Sequence, residues 1–194
     1  MAQAMLSARL AGRSAPVSVT SAGLLAGGQR PPAEAVAVMA ARGIDIAGHF
    51  SRRVTVADLA AADLVLGMAR EHARHACVLR PECWPRTFTL SELLRRGRLA
   101  GARAPGEPLG DWLARAGRDR SRHDLLGSGP GDDVPDPYGG PLAGYQATAS
   151  LLDRLTSELV AQCLAGLARA TGISRPRCGR CKSCRIGGRF ILHW

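Results

Sequence analysis

The sequence is poor in aromatic residues and has no long apolar run. Aromatic residues make up 4% of the 194 residues, whereas hydrophobic residues together make up 46%, so the core must consist mainly of Leu, Val, Ile and Ala. No stretch approaches the roughly 18 to 20 consecutive apolar residues of a membrane-spanning helix, and the N-terminus lacks a basic region followed by an apolar run. We therefore expect a cytoplasmic protein with one core and no membrane partner.

Acidic residues are absent after Glu158, and this absence explains most of the net charge of +10. The seven basic residues that follow Glu158 contribute +7: Arg169, Arg175, Arg177, Arg180, Lys182, Arg185 and Arg189. The other basic residues of the chain are all arginine, a bias that is typical of codon composition. Charge confined to a tail can attract polyanions without indicating that the domain binds them, so we do not expect a nucleic-acid partner.

Helices and strands alternate through the first hundred residues. Apolar periodicity and the positions of Gly and Pro predict four helices, at residues 1–13, 32–42, 70–79 and after Ser91, and three strands, at residues 16–21, 63–68 and 86–89. This order is typical of a parallel sheet with helices on both faces. The sequence therefore predicts an α/β fold.

The second half of the chain is less regular. Residues 97–140 are rich in Gly, Pro, Arg and Asp, and residues 140–170 form a long periodic segment that should be the closing helix. Beyond Gly172 the periodicity stops. We expect an α/β domain over residues 1–168 and a basic, cysteine-containing, disordered tail over residues 169–194.

Four separated segments carry a recognisable pattern. They are Ser21-Ala-Gly23, Gly43-Ile-Asp45 through His49-Phe-Ser-Arg52, Ala62-Asp-Leu-Val-Leu-Gly-Met68 followed by His72, and Val134-Pro-Asp-Pro-Tyr-Gly-Gly140 leading to Tyr145. In their order and spacing these segments resemble one family, the low-molecular-weight protein tyrosine phosphatases. Met1-Ala-Gln-Ala-Met is also similar to the helix that follows the family's phosphate-binding loop. The resemblance implies a three-layer sandwich of the low-molecular-weight phosphotyrosine phosphatase type. It also implies that phosphotyrosine proteins or small phosphomonoesters are hydrolysed through a phosphocysteine, without cofactor or metal.

The sequence departs from this family at the nucleophile. The family's Cys-x5-Arg-Ser/Thr loop cradles the phosphate with backbone N–H groups and an arginine, and it supplies the attacking thiolate. If Met1 follows that loop, the loop and the strand before it lie upstream of residue 1. We therefore expect an N-terminally truncated domain whose first strand is absent and which is inactive as given.

One literal Cys-x5-Arg match exists, from Cys163 to Arg169. Cys163 lies on the apolar stripe of the predicted closing helix, where backbone N–H groups already donate to carbonyls. Reactive thiols need an electropositive and partly exposed site. Core packing is the better interpretation of Cys163.

Asp136 is the candidate catalytic residue that the resemblance implies. In the family, the aspartate of Asp-Pro-Tyr protonates the departing phenolate and later activates water. Asp132 and Asp133 are alternatives in the same loop, and Asp136 also fits an ordinary turn before Pro137. The resemblance makes Tyr138, Leu24 and Leu25 candidate substrate-binding residues; their alternative roles are an exposed turn aromatic and plain loop packing.

Two further groups of residues carry alternative functions. Cys178-x2-Cys181-x2-Cys184 and His193 offer four soft ligands for Zn²⁺, although no second ligand pair accompanies them, so we expect no metal. A basic, Zn-assisted nucleic-acid binder that works through this tail and a catalytically dead phosphatase-like binding module both stay open. Arsenate reduction would need a cysteine relay, which Cys77 and Cys83 do not clearly provide; we expect reduced, partly buried thiols.

Overall fold

The computed structural model describes residues 1–11, 17–126, 131–164 and 188–193. Its helices are α1 (Ala2–Leu10), α2 (Ala33–Ala40), α3 (Val56–Ala61), α4 (Arg70–Leu79), α5 (Leu90–Ala100), α6 (Leu109–Ala116) and α7 (Leu142–Cys163). Its strands are β1 (Ser18–Ala22), β2 (Leu64–Gly67), β3 (Thr87–Thr89) and β4 (Arg189–His193). Two 3₁₀ helices cover Pro81–Arg86 and Arg122–Leu125.

The four strands form one parallel sheet in the order β1-β4-β2-β3. Leu192 pairs with Ser21 of β1 on one side and with Leu66 of β2 on the other. Because all strands run the same way, their carboxyl ends meet at one edge of the sheet. In open α/β sheets, ligands bind outside this edge.

The position of β4 corrects the expectation of a disordered tail for residues 189–193. Phe190, Ile191 and Leu192 are almost fully buried between β1 and β2, because an apolar run of this kind gains more by filling a two-sided slot than by remaining in water. The middle of the sheet is therefore occupied by the last strand of the chain. Both β1 and β2 therefore have a hydrogen-bonded partner strand at the middle of the sheet.

Helices cover both faces of the sheet, as the sequence predicts. Alternate side chains of β2 and β4 point to opposite faces: Leu64 and Leu192 join a large core with α1, α2, α5, α6 and α7, whereas Val65 and Ile191 join a smaller core with α3 and α4. This arrangement is a three-layer α/β fold. In the part of the chain that the structure describes, no helix is long and apolar enough to cross a bilayer.

Two local predictions needed adjustment. Helix α5 begins at Leu90 and not after Ser91. Its N-cap is Thr89, which forms a capping box with Glu92. Within residues 97–140, which the sequence predicts to be less regular, Leu109–Ala116 form α6, whose buried Trp112 and Leu113 pack into the large core. An isolated helix of eight residues is unstable in water, so the burial of its apolar face is what stabilises α6.

Candidate active site

The candidate site lies at the carboxyl edge of the sheet, where β4 ends and α1 begins. The Ser21 hydroxyl donates to Gln3 Oε1 in the first turn of α1 at 2.5 Å. At the end of β4, the His193 Nδ1 lies 3.1 Å from the carbonyl oxygen of Ala22, the last residue of β1. The end of β4 and the start of α1 therefore flank the same dipeptide, Ser21-Ala22, at this edge.

The loop at residues 131–140 is fixed to the same edge by backbone hydrogen bonds. The Val134 N–H donates to the Met68 carbonyl at 2.7 Å, directly after β2. The Thr148 hydroxyl of α7 donates to the Pro135 carbonyl at 3.1 Å. Asp136 follows these two anchors, so the fold brings the candidate acid to the carboxyl edge.

The three aspartates of this loop have different surroundings. Asp132 accepts a hydrogen bond from Arg95 at 3.1 Å and lies 3.6 Å from Arg70. Asp133 accepts from the Arg70 backbone N–H, at the start of α4, at 2.8 Å. Asp136 is exposed, and its carboxylate accepts only from the Tyr138 backbone N–H, at 3.0 Å. Asp132 and Asp133 thus hold the loop in place, whereas Asp136 has no cationic partner among the described residues.

Three histidines, His72, His75 and His193, cluster where β4 ends. The His193 Nε2 is 3.1 Å from the His75 Nδ1, and the His72 and His193 rings lie 5.5 Å apart. Because a carbonyl oxygen can only accept, the His193 Nδ1–H donates to Ala22, and its Nε2 accepts from the His75 Nδ1–H. The His72 Nδ1 accepts from the Ala69 backbone N–H at 3.0 Å, so its proton is on Nε2.

Burial keeps these imidazoles neutral at physiological pH. Desolvation, with the neighbouring His72 and His75, lowers the pKa of His193 to about 4, although the bond to Ala22 opposes the shift. Burial also lowers the pKa of His72, against the carboxylates of Glu71, Asp133 and Asp136. The Asp136 carboxylate acts electrostatically on His72, so the candidate acid lies on the same side of the sheet as this cluster. The hydrogen bonds of His72 to Ala69 and of His193 to Ala22 and His75 suit a structural role for these side chains.

The candidate substrate-binding residues stand around the same edge. Leu24 follows β1 and is half-buried, whereas Leu25 is 82% exposed and Tyr138 is 78% exposed. Large apolar side chains left this exposed at the mouth of a site are available to contact a ligand. Their part in substrate binding remains a prediction.

The segment around Ser51 and Arg52 supports the loop after β1. The Gly23 N–H donates to the Arg52 carbonyl at 2.8 Å, and the Ser51 hydroxyl accepts from the Gln29 N–H at 3.0 Å. Arg52 itself forms a 2.7 Å ion pair with Asp58 in α3. These residues therefore position the edge of the site.

None of the three cysteines in the described residues lies at this edge. Cys163 is fully buried at the far end of α7, roughly 30 Å along the helix axis from the end near the Asp136 loop. Burial raises the pKa of Cys163 to about 12, so this thiol carries almost no thiolate at neutral pH. Cys77 and Cys83 lie toward the other end of α4 and are free thiols.

A polar cavity of about 310 Å³ lies beside the loop and is lined in part by Arg70, Arg95 and Arg96. Each of these guanidiniums pairs with an acid: Arg70 and Arg95 with Asp132, and Arg96 with Glu92 at 3.0 Å. The charges in the cavity are therefore balanced internally. The Asp132 carboxylate is therefore engaged by two guanidinium groups.

No cluster of three or more potential metal ligands occurs among residues 1–11, 17–126, 131–164 and 188–193. Cys178, Cys181 and Cys184 lie outside the described residues. His193, the fourth ligand suggested by the sequence, uses both ring nitrogens in hydrogen bonds within the sheet edge. A role as a zinc ligand would require it to give up one of these bonds.

Comparison with known families identifies the class of protein that has this fold. The model of the low molecular weight phosphotyrosine protein phosphatase family matches residues 1–100, more than half of the chain. The chain belongs to this family. A search of curated protein sequences gave no significant match.

Solved structures agree with this assignment. A low molecular weight protein tyrosine phosphatase from T. tengcongensis is 29% identical, with 82% of this chain and 87% of that chain covered and a TM-score of 0.61. The YwlE arginine phosphatase from Geobacillus stearothermophilus is 26% identical, with coverage of 82% and 80% and a TM-score of 0.58. Wzb from Vibrio vulnificus, in complex with benzylphosphonate, shares the fold at 18% identity, with coverage of 82% and 86% and a TM-score of 0.56.

Proposed function

We propose that this protein is a phosphomonoester hydrolase of the tyrosine phosphatase type, cytoplasmic, in which Asp136 is the general acid. The observation that carries the proposal is the arrangement at the carboxyl edge. There, the end of the central strand and the start of α1 flank Ser21-Ala22, and the loop with Asp136 is anchored to Met68. A phosphate-binding loop that joined a central strand to α1 would present its phosphate beneath Asp136.

Such a loop is also required, because residues 1–11, 17–126, 131–164 and 188–193 place no cysteine nucleophile at this edge. The described cysteines are distant from the edge or buried, and the remaining three stand in the tail motif and not in a Cys-x5-Arg motif. Asp136 can protonate a leaving group, but a thiolate must attack phosphorus first. We therefore propose that residues 1–194 alone are catalytically inactive.

The test compares residues 1–194 with a restored form. In the restored form, a five-residue strand and a Cys-x5-Arg-Ser loop precede Met1, and residues 165–194 are omitted so that the new strand can take the place of β4. We expect residues 1–194 to hydrolyse p-nitrophenyl phosphate no faster than buffer, and the restored form to turn it over. The same form with its new cysteine changed to serine is the matched control and should be inactive.

The substrate class follows from the same assay. Structural relatives include both a tyrosine phosphatase and an arginine phosphatase, and Tyr138 and Leu25 are the exposed apolar groups that could contact a phenyl ring. We expect the restored form to prefer a phosphotyrosine peptide to a phosphoarginine peptide. Preference for phosphoarginine would contradict the tyrosine assignment.

A catalytically dead binding module is the second candidate, and the missing nucleophile in residues 1–194 favours it. A folded restored form that binds vanadate or a phosphotyrosine peptide without turning over any substrate would support this candidate. Turnover by residues 1–194 that disappears in Cys163→Ser would contradict both candidates, because it would place the nucleophile in α7.

A further inference from the structure

Strand β4 occupies a slot that admits one strand. On one side it pairs with β1 over Ser18–Ala22, and on the other side it pairs with β2 over Leu64–Gly67. Neighbouring strands lie about 4.8 Å apart, so two strands that both pair with β4 leave room for a single backbone between them. Any other strand that entered the middle of this sheet would therefore have to replace β4.

The last residue of β4 closes the carboxyl end of the slot. The His193 carbonyl accepts from the N–H of Met68, the residue that follows β2, at 3.0 Å. The His193 side chain is fully buried and bonds to the Ala22 carbonyl and to the His75 Nδ1, each at 3.1 Å. His193 thus fills the gap between the ends of β1 and β2, where a central strand would have to continue into a phosphate-binding loop.

The start of α1 lies beside the same point. Ser21 pairs with Leu192 of β4, and the Ser21 hydroxyl donates to Gln3 in the first turn of α1. A central strand that leads through a short loop into α1 must therefore end next to Ser21, in the slot that β4 fills. Such a strand and β4 exclude each other.

We propose that residues 189–193 are an autoinhibitory strand, which occupies the position of a nucleophile-bearing strand and keeps the phosphate-binding loop out of the site. The proposal rests on the proposed function, because that function requires a strand and a loop before α1. While β4 is in the slot, the loop has no strand that holds it at the carboxyl edge, and it does not bind phosphate. When β4 leaves, the upstream strand pairs with β1 and β2, and the site forms.

The connections and the side chains of the two strands act in opposite directions. The connection from α7 to β4 contains residues 165–187, whereas a Cys-x5-Arg-Ser loop is much shorter. Because the entropy cost of closing a loop grows with its length, the shorter connection favours the upstream strand. Burial favours β4, since Phe190, Ile191 and Leu192 are at most 2% exposed between the two cores. The two strands therefore exchange in the slot, and the inhibition is reversible.

The test uses the extended chain, in which the five-residue strand and the Cys-x5-Arg-Ser loop precede residues 1–194 and nothing is omitted. Limited digestion with chymotrypsin, which cuts after Phe190, reports the displacement of β4 independently of catalysis. Cleavage follows the population of the open form, so we expect the extended chain to release residues 191–194 at least about tenfold faster than residues 1–194 do. Equal resistance of the two chains would overturn the proposal, because the upstream strand would then never enter the slot.

The variant Leu192→Asp separates the two strands. In residues 1–194 it should abolish the urea unfolding transition, because an unpaired carboxylate would be buried in the slot. In the extended chain the same change should leave a cooperative transition, since the upstream strand fills the slot instead. Arg189→Ala, at the exposed start of β4, is the matched control and should preserve the transition in both chains. Loss of the transition in the extended Leu192→Asp chain would overturn the proposal.

The kinetics separate a failure of this proposal from a failure of the proposed function. When only a fraction of the molecules is open, the apparent KM rises by the reciprocal of that fraction, whereas kcat at saturation is kept. We expect the KM of the extended chain for p-nitrophenyl phosphate to be at least about fivefold higher than that of its Leu192→Asp variant, with similar kcat. Equal KM values would overturn the inhibition by β4. Absence of turnover in both, together with rapid cleavage at Phe190, would contradict the phosphatase function while supporting the exchange of strands.

Discussion

The two halves of the chain contribute to the fold in different ways. Residues 1–100, which match the family, build β1, β2, β3 and the helices from α1 to α5. The later residues add the central strand β4, the long helix α7 and the loop with Asp136. The first half therefore provides a sheet edge that lacks both the candidate acid Asp136 and the middle strand. The second half supplies both. A family match over half of a sequence can thus mark a scaffold whose site depends on the other half.

The largest effect on stability should come from a substitution that prevents β4 from filling the middle of the sheet. Leu192 is fully buried between Ser21 and Leu66, and an unpaired carboxylate there costs about 3 to 5 kcal/mol, much of a total stability of about 5 to 15 kcal/mol. We expect Leu192→Asp to abolish or severely shift the urea unfolding transition. Arg189→Ala, at the exposed start of the same strand, is the control and should leave the transition in place. Equal stability of both variants would mean that the first half folds without β4.

The second effect concerns catalysis and needs the restored form. Asp136→Asn should lower kcat by about 10²- to 10⁴-fold on phosphotyrosine with little change in KM, because the proton is needed only as the P–O bond breaks. The penalty should shrink for p-nitrophenyl phosphate, whose leaving group is a weak base. Loss of activity in Asp133→Asn but not in Asp136→Asn would move the acid to the residue that now anchors α4.

Much of the first half could be predicted from the sequence, and the reasons are physical. Apolar periodicity and the positions of Gly and Pro predicted β2, α4 and the layer order, because amphipathic helices and short apolar strands leave local signals in a sequence. The motif at Asp136 also indicated which loop would reach the site, and the anchors at Val134 and Thr148 supply the geometry that the sequence does not contain.

The tail shows where this reasoning failed. Phe190, Ile191 and Leu192 form a short apolar run, as buried parallel strands do, but their Arg- and Cys-rich surroundings outweighed that signal in the sequence-based prediction. Which slot a strand fills depends on contacts far along the chain. The chain of His72, His75 and His193 was hidden for the same reason, since 118 residues separate its hydrogen-bonded members His75 and His193.

A smaller effect on stability is expected from pH, because His193 of the second half is hydrogen-bonded to Ala22 and His75 of the first half. With its pKa lowered to about 4 in the folded protein and near 6.5 when unfolded, the unfolded state binds more protons between these values. Stability is therefore present above pH 6.5 and falls as the pH drops toward 4, by at most about 3 kcal/mol from this residue. Urea unfolding at pH 7 and pH 4.5 should show this loss.

The matched variants are His193→Asn, which can still donate to Ala22, and His123→Asn at an exposed position. The first should flatten the pH dependence, and the second should not. An unchanged pH dependence in His193→Asn would assign the loss to other groups and would weaken the view of this histidine as a neutral link between β4 and α4.

The smallest effects come from adding one methyl group in each half. A Cβ at Gly67, where β2 meets the site edge, would lie 2.8 Å from the Ala69 carbonyl oxygen and 2.9 Å from the Ala73 nitrogen. Both are backbone atoms that cannot rotate away, so Gly67→Ala should cost about 1 to 3 kcal/mol through overpacking.

Gly110 in α6 is exposed and has no atom within 4 Å of such a Cβ. Gly110→Ala should therefore raise stability by up to about 1 kcal/mol, because alanine favours the helix. Thermal unfolding of both variants measures the two changes in stability. A loss for Gly67→Ala and a gain for Gly110→Ala would support a tightly packed sheet edge in the first half and a tolerant helix in the second. An unchanged stability of Gly67→Ala would show that the edge can relax.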